Sequence, residues 1–171
     1  LIIIRLITIR MIRIMNISLD GSELVMAANV GVRRHAQALM KKFTDKHGAK
    51  EDNGWQLHIE GACGELAFAK AMNWHWSGSL YTFKNPDVGE IQVRTRSKHE
   101  YDLIIRKGEV GTYVLVTGLA PRYTVHGWFN ALNVRDEWLK KHGNREEAWF
   151  IPKSELHPIT TLSSNAISFP N

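Results

Sequence analysis

Between Glu90 and Arg96 the chain alternates in polarity. Ile91 and Val93 fall on one side; Glu90, Gln92, Arg94 and Arg96 fall on the other. Strand side chains switch face at every residue, so this spacing predicts a strand with one apolar face. The opposite face carries a carboxylate, an amide and two guanidinium groups in a row. Asn85-Pro86-Asp87, just upstream, is a turn signal that sets an acid at the strand's entrance.

Upstream, the period changes. Ile17 to Phe43 reads as a helix entered through Asp20-Gly21-Ser22-Glu23, a capping-box spacing, with Leu24, Ala28, Val32, Leu39 and Phe43 as its core stripe. A polar loop from Thr44 to Gly54 follows, with Lys46, His47 and Lys50 able to touch a nucleic acid or simply solvated. Trp55 to Met72 is a second helix, rich in small residues. Glycine is costly inside a helix, so Gly61 and Gly64 point to another backbone coming close. Asn73 to Gly78 breaks this helix, with Trp74 and Trp76 expected to wall the core and base stacking as their alternative role. Short strands are expected at Leu80–Phe83, Tyr101–Arg106, Tyr123–Asn130 and Ala148–Ile151. Thr112 to Leu119 is apolar on both faces and is placed at the centre of the sheet. Asn133 to Lys141 reads as a short helix with Val134, Trp138 and Leu139 inward, and the chain from Pro152 onward has little regularity. The order predicts an α/β or α+β fold with a central mixed sheet flanked by helices.

The 171 residues fit one domain, and a 44% hydrophobic share excludes a disordered chain. Residues 16–171 are taken as that domain. Residues 1–15, Ile/Leu-rich but interrupted by Arg5, Arg10 and Arg13, are read as an N-terminal extension ahead of a start at Met11 or Met15. The alternatives are an added edge strand or a membrane-surface segment. No run in it approaches the roughly 18 apolar residues of a membrane span. Lys and Arg exceed Asp and Glu by 22 to 17, a mild positive charge that suits a polyanion. One cysteine, Cys63, excludes an internal disulfide framework and points to a reducing compartment, here the cytoplasm; its expected role is helix packing. The His residues show no zinc-ligand spacing, and no glycine-rich phosphate loop is present.

The chemistry gathers on three polar groups. Glu65 sits among small helix residues, where a charge must either reach the surface or meet a cation, whether a basic side chain or a metal. Asp87 opens the strand, and Gln92-Val93-Arg94 continues it. Phosphodiester hydrolysis needs a hard cation on the phosphate oxygens and positive charge near the attacked phosphorus. Oxygen ligands suit Mg²⁺, and Arg94 can clamp a phosphate through two parallel hydrogen bonds.

Gly61-Ala62-Cys63-Gly64-Glu65-Leu66-Ala67, then Pro86-Asp87, then the triplet Gln92-Val93-Arg94 resemble the PD-(D/E)XK nuclease superfamily, in its small phage and mobile-element forms. The wider likeness runs from Gly31-Val32-Arg33-Arg34 through Gly127-Trp128 and covers roughly residues 20 to 160. The resemblance implies a restriction-endonuclease-like fold, with Glu65, Asp87 and Gln92 as ligands of Mg²⁺ or Mn²⁺ and the backbone carbonyl of Val93 as a further one. It makes Arg94 the transition-state cation, and Arg33, Arg34 and Arg96 contacts to a DNA backbone. It leaves a homodimer open. The chain departs from the pattern at two positions, with an amide at Gln92 where a carboxylate is usual and Arg94 where lysine is usual. Three readings follow: a metal-dependent DNA nuclease; a nuclease-fold protein that has lost catalysis and binds nucleic acid or a protein; and a domain whose charges are ordinary surface pairs.

Overall fold

The computed structural model describes residues 14–41, 53–80 and 86–162. Strand β1 (Met15–Ser18) leads into helix α1 (Gly21–Met40), and helix α2 (Gly54–Met72) follows. Then come β2 (Ile91–Arg96), β3 (Leu103–Arg106), β4 (Thr112–Leu119), β5 (Arg122–Asn130), β6 (Leu139–Lys140) and β7 (Ala148–Ile151). Among the described residues no helix is long and apolar enough to cross a membrane.

Local chemistry sets the helix ends. Asp20 accepts the Glu23 N–H at 2.9 Å, and Glu23 returns a carboxylate to the Asp20 N–H at 2.7 Å. Such a cap contributes about 1 kcal/mol. It starts α1 at Gly21, so Ile17 belongs to β1 and not to the helix. Asn73 closes α2 in the left-handed conformation, φ 53°, with the Trp74 N–H reaching back to the Ala69 carbonyl at 2.9 Å.

Two sheets form. The larger runs β1-β5-β4-β2, with β2 parallel to β4 and the other pairs antiparallel. The smaller is β3-β7-β6, antiparallel throughout. This is the expected α+β class with a central mixed sheet, and β4 lies inside it. Alternation divides the core in two. Val93, Val114, Val116 and Val125 face the helices and pack on Ala62, Cys63, Leu66 and Phe68. Tyr113, Leu115 and Phe129 face the other way and pack on Leu103, Ile105 and Ile151 of the second sheet. The helices therefore cover one face only.

Other expectations are corrected. Val32 and Leu39 are exposed, and α1 buries Ala27 and Gly31 instead. Gly31 lets the helices touch: a Cβ there would lie 2.5 Å from the Ile59 Cα. Gly64 lies against Thr95 of β2, whereas a Cβ on Gly61 would meet nothing. Residues 133–141 form no α-helix; two 3₁₀ turns, Ala131–Asn133 and Asp136–Trp138, lead into β6. The segment after Pro152 is irregular, yet Leu156 and Ile159 are core residues. Met15, assigned to the extension, is the first residue of β1 and pairs with Val125. Residues 1–13, the loop with Lys46, His47 and Lys50, Phe43 and residues 81–83 of the expected Leu80–Phe83 strand lie outside the described residues.

Candidate functional site

Strand order leaves β2 at an edge of the larger sheet. A tight turn delivers the chain to it. Ile91 donates to the Val88 carbonyl at 3.0 Å, and its own carbonyl accepts from Asp87 and Val88 at 2.9 and 3.1 Å. Gly89 takes φ 59° at the bend, a conformation that a side chain would strain. The turn folds Asp87 back beside β2, where one carboxylate oxygen, Oδ2, accepts the Val93 N–H at 2.7 Å. A strand residue sends its N–H and C=O to the same side. The Val93 carbonyl therefore leaves on the same unpaired edge that Asp87 occupies.

Glu65 stands on the α2 turn next to Gly64 and is only 5% exposed. It does not reach the surface; it meets a cation, and that cation is Arg34. The guanidinium forks both carboxylate oxygens, Nη1 to Oε1 at 2.5 Å and Nη2 to Oε2 at 2.9 Å. Arg34 Nε donates to the Ser79 carbonyl at 2.9 Å, and the Trp76 indole donates to Glu65 Oε2 at 3.0 Å. Arg34 thus faces inward and is committed, and is not displayed to a nucleic acid. Trp76 walls the core, as its place in the sequence suggested, but it also orients the acid.

The two acids share one electrostatic neighbourhood. Burial pushes the Asp87 carboxyl up to about 7, and the nearby Glu65 charge adds to the rise. The Val93 N–H, then Arg94 and Arg34, pull the other way without cancelling it. A carboxyl so placed holds its proton near neutrality unless further positive charge arrives.

Arg94 projects from the face of β2 opposite Val93. It donates to Glu109 at 2.5 Å and lies 4.8 Å over the Tyr113 ring, and its Nε is buried without a partner among the described residues. Glu109 also accepts the Arg106 N–H at 2.8 Å. The chain's residues give one hint of this acid's role: it sits in a turn between Gly108 and Gly111, both at positive φ. Arg96 donates to the Asp102 carbonyl at 3.0 Å and stacks on Tyr101 at 4.6 Å. Gln92 is half-buried beside Tyr113 in the β2–β4 register, with no hydrogen bond to a described residue. Arg33 is exposed.

The fold thus gathers Glu65, Asp87, Arg34 and Arg94 around one end of β2. Arg96 lies at the other end of the strand and Arg33 on the outside of α1. Among the described residues no group of three or more His, Cys, Asp and Glu side chains is placed to hold a metal ion. A cation at Asp87 would have to use mixed oxygen donors. Asp87 Oδ1 and the outward Val93 carbonyl share the open edge of β2, and the Gln92 amide oxygen is the third donor that the resemblance implies. A set with one carboxylate suits Mg²⁺, which keeps several waters, better than a cage-forming metal. Glu65 can join it only by releasing Arg34. Compared with protein families, with curated proteins and with solved structures, the chain finds no match.

Proposed function

We propose that the chain is a metal-dependent phosphodiesterase acting on DNA, a PD-(D/E)XK-like nuclease with a restriction-endonuclease-like core and the degenerate triplet Gln92-Val93-Arg94. One observation carries this reading: Asp87 is fixed to the Val93 N–H on an open strand edge, beside a second buried acid, with its carboxyl pushed up to about 7. Desolvated acids that repel each other mark a position where added positive charge is stabilising. Mg²⁺ or Mn²⁺ would be held by Asp87, the Val93 carbonyl and Gln92. When bound, it supplies a Lewis acid that polarises phosphate oxygens and lowers the pKa of a water. Arg94 stays charged and sets a guanidinium near Asp87, where it offsets charge on a phosphate. Arg34 holds Glu65 in place, and Trp76 fixes the carboxylate's rotation.

A second reading has its own support. Both Glu65 oxygens are already satisfied by Arg34 and Trp76, and Gln92 brings no charge. A chain with these features can bind nucleic acid, or a protein, without cutting.

The test uses plasmid and linear DNA with Mg²⁺, Mn²⁺ or EDTA, beside Asp87→Ala. Metal-dependent cutting that Asp87→Ala lacks is expected. DNA retention without cutting by the wild type supports the binding protein instead, and neither activity overturns both. A separate readout is thermal stability: Mg²⁺ raises the melting temperature of the wild type at pH 8 and leaves Asp87→Ala unmoved.

A further inference from the structure

A concavity of about 500 Å³ opens at the far corner of the larger sheet, away from Asp87. Its floor is the face of β1, β5 and β4 that the second sheet would cover if it reached further. Tyr123, Val125, Met15 and Ile17 pack on the helix side, so Ser18, Arg122 and Thr124 turn the opposite way, as does Thr117 on β4. Tyr113 and Leu115 lie under the second sheet, but Thr117 is beyond it. Ser97 and His99, just past the end of β2, complete the wall.

The lining contains no carboxylate. Arg122 is exposed, and its side chain makes no hydrogen bond or ion pair with a described residue. Behind the wall lies His126, the extra residue of the bulge where the β4–β5 register shifts. Its Nε2 meets the Thr117 hydroxyl at 2.7 Å, and its ring lies 4.8 Å from His99. Burial, then Lys153 and His99, push His126 down to about 4. Lys153 is the cation of the two, and its charge makes the local field positive. Lys153 is held against the His99 carbonyl, which keeps its charge at this corner.

We propose that this corner groove binds a phosphate of a nucleic-acid strand, with Arg122 as the charged contact and the Ser18 and Ser97 hydroxyls as further donors. Three features together select a phosphodiester: a hollow of ligand size, a guanidinium at its rim that pairs with no described residue, and the Lys153 charge behind it with no acid in the lining. The rise along β2 is about 3.3 Å per residue, so from Val93 to Ser97 the strand covers about 13 Å. That spans about two nucleotide steps of an extended strand and sets a second backbone contact apart from the Asp87 edge. The inference rests on the nucleic-acid part of the reading above and not on cutting.

The experiment measures fluorescence anisotropy of a labelled single-stranded oligonucleotide across a salt series. Wild type, Arg122→Gln and Ser97→Glu are compared; both sites are exposed, and a thermal melt confirms folding. Arg122→Gln is expected to weaken binding about tenfold at 0.1 M salt and to lower the slope of log K against log salt by about one. Ser97→Glu, which adds a repelling carboxylate, weakens it further. Unchanged affinity and slope in both variants overturn the proposal. So does competition by inorganic phosphate or thymidine monophosphate at the concentrations where the oligonucleotide itself competes, because the groove would then be a small-anion site. If the wild type retains DNA through Arg122 yet never cuts it, the nuclease reading fails and the groove stands. If it cuts DNA while both variants bind normally, the groove fails and the nuclease reading stands.

Discussion

The two ends of β2 handle charge in opposite ways. At the Asp87 end two half-buried guanidinium groups have each found an acid inside the protein: Arg34 takes Glu65, and Arg94 takes Glu109. At the corner groove the lining has no acid, and Arg122 is exposed with no ion pair to a described residue. The first arrangement is expensive to assemble, because desolvating each ion costs several kcal/mol that only good geometry offsets. The second costs almost nothing until a ligand comes. The contrast separates roles. The buried end fixes shape and holds one proton-hungry carboxyl in place, while the open end is free to take an anion.

Removing one partner from the buried end gives the largest effect. Arg34→Met leaves Glu65, 5% exposed, without its guanidinium partner and with the Trp76 indole as its one remaining donor among the described residues. The cost is about 3–5 kcal/mol, read as a fall in the urea midpoint. Arg34→Met with Glu65→Gln recovers most of it, because no bare charge remains. Arg122→Met, at the open end, changes stability by less than about 0.5 kcal/mol. Equal losses for Arg34→Met and Arg122→Met would erase the contrast.

Next comes the helix contact that aligns the pair. Arg34 is on α1 and Glu65 on α2, and the two helices touch through Gly31. A Cβ at Gly31 would lie 2.5 Å from the Ile59 Cα and 2.6 Å from the His58 carbonyl. Backbone atoms cannot rotate away, so Gly31→Ala is expected to cost about 3 kcal/mol and to disturb the Arg34–Glu65 fork. Gly61→Ala is the opposite case. Nothing lies within 4 Å of its Cβ, and it should stabilise by about 0.5–1 kcal/mol. Denaturation midpoints of the two variants decide the signs.

Much of this was legible in the residues, and the failures have physical causes. The Asp20–Glu23 cap, the α2 span to Met72 and the β4 span are local signals, and local signals were enough. Glu65 reads as an acid that must reach the surface or meet a cation, because its neighbours are small; that Arg34, thirty-one positions away, supplies the cation depends on how two helices cross. Val32 and Leu39 misled because helical spacing marks a face but not which face is covered. Trp138 is buried as expected, yet a 3₁₀ turn and a two-residue strand carry it in place of a helix. The second sheet was invisible as a sheet: β3 and β7 were each anticipated, but their pairing joins residues more than forty positions apart. The corner groove was hidden for the same reason. It is made by where that sheet stops.

An effect smaller than those of Arg34→Met and Gly31→Ala comes from Asp87 itself, and it tests the buried end by pH. An ordinary aspartate titrates at 3.8, and here the carboxyl is pushed up to about 7. Below about pH 4 it is protonated in both folded and unfolded chains and contributes no difference. Between about 4 and 7 the folded chain keeps the proton that the unfolded chain has lost, so this group's contribution to stability falls as pH rises. Above 7 both states are ionised and the penalty is complete. A rise from 3.8 to about 7 corresponds to a ceiling of about 4 kcal/mol, and partial access to water brings the expected penalty to about 2 kcal/mol. Asp87→Asn keeps an acceptor for the Val93 N–H and removes the charge. It should therefore exceed the wild type in stability at pH 8 by about that amount and converge with it near pH 4. Mg²⁺ at pH 8 should close the gap from the wild-type side, since a bound cation relieves the same repulsion, and should do little at pH 5, where it must displace a proton. Urea midpoints at four pH values, with Mg²⁺ and with EDTA, read all of this. Parallel curves for wild type and Asp87→Asn would mean that Asp87 is an ordinary solvated acid, and the buried end of β2 would then hold one satisfied ion pair with no vacancy for a cation.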